Sequence, residues 1–564
     1  MSTDQVSSVT VVTFSAASAW LVSRRFPVQE TAVRWLAFLL LWAGLLILPV
    51  QAAGSLQLAG AIPRFTMFGL ALTQVVLFVL ATLAIRRIPV PALSASEGAI
   101  RLSAPLPLYI KITAAVLALS YGMFAVDLLS SYPSGNDALG YHYLKSLRLL
   151  QNGSFWLHSG AFQFNLPANV EIGMMPFLAT GIQCLAPVFN WLGIAVLGLS
   201  VYLIALRLWN HQEAAIVVVL LLLSFPIAQF QAFSGYVDVT GTGFLFAAVA
   251  LWLFRYKAER EDTSHEASLG VLVLTGLAAG LSVGSKTTFY FYNFFLVAFM
   301  LSELAWSRQR NKTRFAAPVL VLLAGLLLPS VFWIGKGLLA AGNPVYPLQV
   351  KIGSSVVFKG VSTNDVVPKD APSHNVEQNW EWMFYPWTEY KRAPGFLLIP
   401  YSTGDGFGAA FATFVPLGVL FLGYDSFRRK RWLELALLLF WLLLLASWWL
   451  IMNRLLRFGI PIWVLSFLLT VPLLARAAEA SRRWFRPLVV FSVAATCMVS
   501  SFIPFHSLMG RIRSGEWSRE EYYGYPKAID TLPAGSVVLN ATAFSTLNFP
   551  LAGRNLSNRV ITDM

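Results

Sequence analysis

Between Asp137 and Lys145, in Asn136-Asp137-Ala138-Leu139-Gly140-Tyr141-His142-Tyr143-Leu144-Lys145, a carboxylate, an imidazole and an ammonium lie within nine positions, just past a membrane-length apolar run. Such a set can take a proton from a hydroxyl and steady a developing negative charge. Four more ionisable side chains stand at the ends of apolar runs. They are Asp238 in Ser234-Gly235-Tyr236-Val237-Asp238, Lys286 in Ser285-Lys286-Thr287-Thr288, and Arg454 and Arg457 in Asn453-Arg454-Leu455-Leu456-Arg457. An ionisable group at a membrane rim is expensive, which makes each a functional suspect. Two carboxylates with three fixed cations suit a reaction in which a hydroxyl loses its proton while a phosphate departs. A carboxylate serves as general base, and Lys and Arg stabilise the phosphate charge as the bond breaks. A phosphate carried on a lipid would place that chemistry at the membrane surface.

Each residue also has a plainer use. Asp137 and Asp238 could sit at helix N-termini, where the dipole favours a carboxylate. Lys286 could snorkel toward headgroups, and Arg454 and Arg457 could contact anionic lipid. Lys145 and Arg148 could form the solvated face of an amphipathic helix. His142 reads as a hydrogen-bonding residue before a metal ligand, because one His with scattered carboxylates is a weak zinc signature. Cys184 and Cys497, the only cysteines, both sit in apolar context and offer neither a disulfide framework nor a thiolate metal site.

Composition decides what holds these residues. Of the 564 residues, 57% are hydrophobic and 12% charged, and the mean hydropathy is +0.64. Soluble domains carry about twice that share of charge, so the chain reads as an all-α polytopic membrane protein. The net charge of +14 falls in short clusters between apolar runs. These are orientation signals, and no nucleic-acid partner is expected. Runs of about 20 apolar residues fall near 7–23, 33–53, 65–85, 108–129, 190–208, 214–231, 238–255, 268–284, 287–305, 315–340, 407–424, 432–452, 458–476 and 486–506, which is about fourteen transmembrane helices. No cleavable signal peptide is evident, since the first run lacks a basic leader and Arg24-Arg25 follows it.

With this count the basic connections at Arg24-Arg25, Arg86-Arg87, Arg255 to Arg260, Arg308 to Arg314, Arg428 to Arg431 and Arg476 to Arg486 share one side, read as cytoplasmic. The polar segments 130–189, 341–406 and 507–564 then lie outside, with Asp137. From Asp137 to Leu150 the spacing predicts an amphipathic surface helix, with Leu139, Tyr143, Leu147 and Leu150 on one face and Asp137, Tyr141, Lys145 and Arg148 on the other. A second patterned stretch, Val170 to Val188, is broken by Pro176 and Pro187 and is expected to lie at, or partly enter, the outer surface. The prolines of Gly342-Asn343-Pro344-Val345-Tyr346-Pro347 should end the preceding helix, and Trp380 to Tyr390 reads as an interfacial aromatic belt or a sugar platform. The tail carries a short helix near Tyr522 to Thr531 and a strand-like run at Ser536 to Leu539, a small α/β appendage whose core is completed by packing on another loop.

Asn136-Asp137-Ala138-Leu139-Gly140-Tyr141-His142, Asn152-Gly153-Ser154 and Pro167-Ala168-Asn169-Val170-Glu171 together resemble the first outer loop of bacterial GT-C superfamily glycosyltransferases, nearest to the ArnT-like and protein-mannosyltransferase-like (glycosyltransferase family 39) group. Gly235-Tyr236-Val237-Asp238 resembles their second acidic motif, and Asn343-Pro344-Val345-Tyr346-Pro347 their later proline motif. The resemblance covers residues 108–506. It implies residues 1–107 as additional N-terminal helices, 108–506 as the catalytic module and 507–564 as an outer tail. It further implies a polyprenyl-phosphate sugar donor, transfer with inversion to a glycan, lipid or protein acceptor, an essential Asp at Asp137, and a bacterial inner membrane with the site facing the periplasm. Many relatives carry an acidic pair where this chain has Asn136-Asp137, which leaves a divalent cation, with Asp238 as a second acidic candidate, an open alternative. Two other functions stay in competition: a transporter or lipid flippase, which tends to place its polar residues at the bilayer midplane, and an O-antigen polymerase or ligase type of enzyme, which would leave Asp137 without a special role.

Overall fold

The computed structural model describes residues 2–26, 30–87, 105–130, 132–133, 135–155, 162–260, 265–311, 316–361, 407–451, 456–480, 483–514, 523–540 and 548–562. They form an all-α polytopic membrane protein. The long helices are α1 (Thr3–Arg24), α2 (Thr31–Leu58), α3 (Met67–Arg87) and α4 (Leu108–Ser130). A π-helical turn, Ala138–His142, then leads into two short helices, α5 (Tyr143–Asn152) and α6 (Asn169–Leu178). The bundle continues with α7 (Val188–Trp209), α8 (Gln212–Leu223), α9 (Pro226–Ala232), α10 (Asp238–Arg260), α11 (His265–Val283), α12 (Thr288–Asn311), α13 (Ala316–Leu327) and α14 (Val331–Ala341). It is completed by α15 (Gly408–Arg428), α16 (Trp432–Ile451), α17 (Ile460–Leu468), α18 (Val471–Glu479) and α19 (Phe485–Ser514).

Among the described residues eleven helical stretches are long and apolar enough to cross a membrane, and thirteen if two bent pairs each count as one. The expected fourteen is therefore not confirmed; the remaining apolar run, within α11, is shorter than a full span. Both bends have a covalent cause. The α8/α9 pair turns by 68° where Pro226 opens α9, and α13/α14 by 59° around Pro329. Proline removes a backbone donor and crowds the preceding turn, so the axis must break there.

Burial sorts the bundle into centre and rim. The apolar window of α10 is 83% buried and that of α7 is 72%, against 22% for α3 and for α4, whose remaining surface faces lipid. Where α11 crosses α13 the backbones nearly touch: a Cβ on Gly276 would lie 2.2 Å from the Leu322 carbonyl, so only glycine permits the crossing. Away from Asp137, the helix ends carrying basic residues meet one another, through Arg207 with Glu30 and Arg255 with Glu303.

Two expectations change at the polar end. Residues Tyr143 to Arg148, which include the supposed solvated face of α5, are all buried, because α6 and the tail cover them. Arg148 donates to the Val560 carbonyl (2.7 Å), Gln151 to those of Leu556 and Asn558, and Phe549 packs on Tyr143. The stretch beginning at Val170 lies at the surface only in part: every residue of α6 is buried, whereas Gly181 and Ile182 beyond it are exposed. The tail itself forms a short helix α20 (Ala528–Thr531) and a parallel pair of strands, β3 (Val537–Asn540) and β4 (Arg559–Thr562). After α14, which ends at Ala341 with Gly342 in the left-handed region, comes an antiparallel hairpin of β1 (Val350–Ile352) and β2 (Ser355–Phe358) that periodicity had not shown. The Trp380 to Tyr390 cluster lies outside the described residues.

Candidate functional site

Asp137 precedes the π-helical turn, which Gly135 enters at a φ of +101°. A Cβ at Gly135 would also meet the Tyr236 ring at 2.9 Å, so the turn needs glycine for conformation and for space. The Asp137 side chain makes no capping hydrogen bond. Its Oδ2 lies 2.7 Å from Arg457 Nη2 and accepts the Tyr141 hydroxyl at 3.1 Å, while its backbone N–H faces the Tyr236 hydroxyl at 3.4 Å. Arg457 belongs to a 3-10 turn, Leu456–Gly459, that opens the apolar run continued by α17.

A second ion pair stands beside the first. Asp238 begins α10, and its Oδ1 takes the Lys286 ammonium at 2.7 Å instead of capping its own helix. The Phe458 ring joins the two pairs, with Lys286 at 4.8 Å from its centroid and Arg457 at 5.5 Å; Arg457 also lies over Tyr236 at 5.2 Å. Four elements distant in sequence thus bring Asp137, Asp238, Lys286 and Arg457 together. The outer pair is open, with side chains 27% and 16% exposed at Asp137 and Arg457. Asp238 Oδ2 and Arg457 Nε are buried and have no hydrogen-bond partner among the described residues, so each pair keeps an unused polar atom.

Behind the turn lies a third assembly. Glu171 on α6 receives His142 Nδ1 at 2.8 Å and Lys145 Nζ at 3.1 Å, both on Oε1, and its backbone carbonyl accepts the Ser146 hydroxyl at 2.8 Å. With Nδ1 donating to the carboxylate, a neutral His142 presents Nε2 as an acceptor, and that atom is buried and unpartnered among the described residues. The Tyr141 ring lies tilted against that of His142, with centroids 4.1 Å apart, which connects this assembly to Asp137.

Burial and charge oppose each other here. Burial pushes the Asp137 carboxyl up, but Arg457, Lys286 and His142 together outweigh it and hold it below the usual carboxylate range. The Glu171 carboxyl is likewise pushed up by burial, and Lys145 and His142 outweigh that and bring it down to about 2. Burial lowers both His142 and Lys145, and Glu171 only partly restores them. No three His, Cys, Asp or Glu side chains converge among the described residues. Asp137 and Asp238 each already hold a cation of the chain, a donor set that does not suit a divalent metal.

No family model matches the sequence, and no curated protein matches it. Solved structures offer a fold likeness. The chain is similar to ArnT from Cupriavidus metallidurans in the apo state, at 14% identity over 80% of this chain and 85% of that one, with a TM-score of 0.47. The same enzyme bound to undecaprenyl phosphate matches at 15% identity over 80% and 85%, TM-score 0.45. The Archaeoglobus fulgidus oligosaccharyltransferase matches at 16% over 80% and 64%, TM-score 0.41. At such identities and scores no residue role passes from them to this chain.

Of the residues singled out in the sequence, the structure brings Asp137, Asp238, Lys286 and Arg457 together. Arg454 lies outside the described residues, and His142 and Lys145 belong to the Glu171 assembly rather than to the Asp137 pair. Glu171, Tyr141, Tyr236 and Phe458 are the additions. Glu171 did carry a signal: it is the only Asp, Glu, Lys or Arg between Arg148 and Arg207. A charge so isolated in apolar sequence must be buried with a partner or carry out a function.

Proposed function

We propose that the protein is a GT-C type glycosyltransferase. It moves a sugar from a polyprenyl-phosphate donor to an acceptor hydroxyl on the outer, periplasmic side of a bacterial inner membrane, with inversion at the anomeric carbon. The observation that carries this reading is the open Asp137–Arg457 pair, joined through Phe458 to the buried Asp238–Lys286 pair. The acceptor O–H gives its proton to the Asp137 carboxylate, its oxygen forms the new bond to the anomeric carbon, and the bond from that carbon to the phosphate oxygen breaks with its electron pair. Arg457, through its unused Nε, and Lys286 then face the departing phosphate. Arg454 is a further candidate for that role.

The low pKa of Asp137 fits such a sequence. A carboxylate paired with a guanidinium is a weak base, and it accepts a proton once the hydroxyl has become acidic by bonding to carbon. A donor phosphate that draws Arg457 toward itself would weaken its hold on Asp137 and make the carboxylate more basic as the substrate arrives. The Asp137–Arg457 and Asp238–Lys286 pairs gather at one end of the bundle, which supports an enzyme over a transporter with a midplane site.

Asp137→Asn tests the reading. In membranes with normal abundance of the variant, transfer from a radiolabelled polyprenyl-phosphate sugar should fall by about 10²- to 10⁴-fold, the usual loss for a general base. Full retained transfer would overturn it, and solute movement into sealed liposomes without a covalent product would favour a transporter.

A further inference from the structure

The buried charges at this end of the bundle do not balance. Among the described residues there, four buried cations, Lys145, Arg148, Lys286 and Lys336, stand against two buried carboxylates, Glu171 and Asp238. The buried acids are taken by Lys145 and Lys286. Arg148 and Lys336 are left without a carboxylate, although they are only 8% and 3% exposed. They approach the same residue from different helices. The Arg148 guanidinium lies 4.2 Å from the centroid of the Phe164 ring, and Lys336 Nζ reaches the Phe164 carbonyl at a long 3.4 Å. Their other partners are the Val560 carbonyl for Arg148 and the face of Trp333, 5.7 Å away, for Lys336.

Neutral carbonyls and rings repay little of the cost of taking two cations out of water. A buried ammonium in such surroundings either sheds its proton or waits for an anion. Two surplus charges match a phosphate monoester, and a guanidinium fork at the Phe164 ring with a compact ammonium at the Phe164 carbonyl offers it charge-assisted donors from two helices. We propose that Arg148 and Lys336 form a second anion site at Phe164, separate from the Asp137–Arg457 centre, that takes a phosphate group. A membrane lipid and a soluble or acceptor molecule are the two sources of such a phosphate; the chemistry is shared. The proposal assumes nothing about sugar transfer and stands or falls independently of Asp137.

The full chain is purified in a phosphate-free maltoside detergent with Arg457→Met, which removes one competing phosphate candidate, while Lys286 and Arg454 stay common to every protein compared. Thermal unfolding is followed while inorganic phosphate replaces chloride at constant ionic strength, and in a second arm while phosphatidic acid is added against diacylglycerol. Saturable stabilisation is expected. Adding Lys336→Met should raise the half-saturating concentration about tenfold or more, the loss of one charge-assisted hydrogen bond, and Lys336→Arg should restore it. Response to phosphatidic acid at far lower concentration assigns the phosphate to lipid, and response to inorganic phosphate alone assigns it to a soluble or acceptor group. If Arg457→Met does not fold, the same comparison of Lys336→Met with Lys336→Arg is made on the wild-type background. No response that depends on Lys336 in either arm overturns the proposal. So does a Lys336→Met protein that is more stable than its parent and keeps its phosphate response, which would identify a neutral buried amine.

Discussion

Asp137 and Glu171 are both carboxylates held ionised by neighbouring cations, and both lie at the same end of the bundle, yet they are set in different kinds of place. Glu171 is 1% exposed and holds three groups of one neighbouring segment, His142, Lys145 and Ser146. Asp137 is 27% exposed on an irregular turn, and its main partner comes from a distant element. The Glu171 assembly fastens α5 to α6 and leaves little that can move. The Asp137 pair can open toward a substrate without unfolding anything. On the proposed mechanism the same chemistry is a strut where it is sealed and a reagent where it is accessible.

Exchanging each acid for its amide should separate the two roles. Asp137→Asn, which should abolish most transfer if the proposed mechanism holds, should leave the melting temperature almost unchanged, because a partly exposed pair contributes only about 0–1 kcal/mol. Glu171→Gln should do the reverse in kind, leaving Lys145 buried without a counter-charge at a cost of about 3–5 kcal/mol. Denaturation of the purified proteins measures both. A Glu171→Gln protein as stable as wild type would dissolve the distinction.

Asn169, two residues before Glu171, sharpens the same contrast. Its amide accepts from Gln51 and Trp333 and donates to the carbonyls of Leu281 and Pro329, so it fastens α6 to α2, to α11 and to the bend between α13 and α14. Asn169→Ala strands several of these buried groups and should cost about 1–3 kcal/mol. A fall in transfer would then follow the loss of folded protein, and a stable but inactive variant would place Asn169 closer to the chemistry than its contacts do.

The helices could be read from the sequence because their cause is local: twenty apolar residues announce a span wherever they occur. The polar residues at their ends were legible for the same reason, since charge in apolar sequence stands out. Their pairing was not. Nothing local says that Asp238 will meet Lys286 rather than cap its own helix, or that Arg457 will reach Asp137, because those contacts join segments far apart in the chain. The face of α5 was misread on the same ground. Lys145 and Arg148 have the spacing of a solvated stripe, and only the fold reveals that Glu171 and the tail cover them. The bends at Pro226 and Pro329 lie between, visible as prolines but not as angles.

The pH dependence of transfer gives the finest test of the comparison. Burial raises the Asp137 pKa, and Arg457 is the largest opposing influence, so the folded value lies below the ordinary one. A base must be ionised to act, so the rate should hold at its plateau as pH falls through the usual carboxylate range and decline only below it. In Arg457→Met the burial contribution loses its main opponent. The acidic limb of kcat/KM should then move to higher pH by about one unit or more, and Arg457→Lys should fall between, since an ammonium keeps the charge but not the fork. The stability carried by the pair has the same sign: it is present above the unfolded carboxylate pKa of about 3.9 and disappears as pH falls through the lower folded value. Glu171 offers the internal control, because its cations come from the turn and α5 and do not include Arg457. A limb that stays in place when Arg457 is replaced would mean that the titrating base is not the carboxylate paired with it.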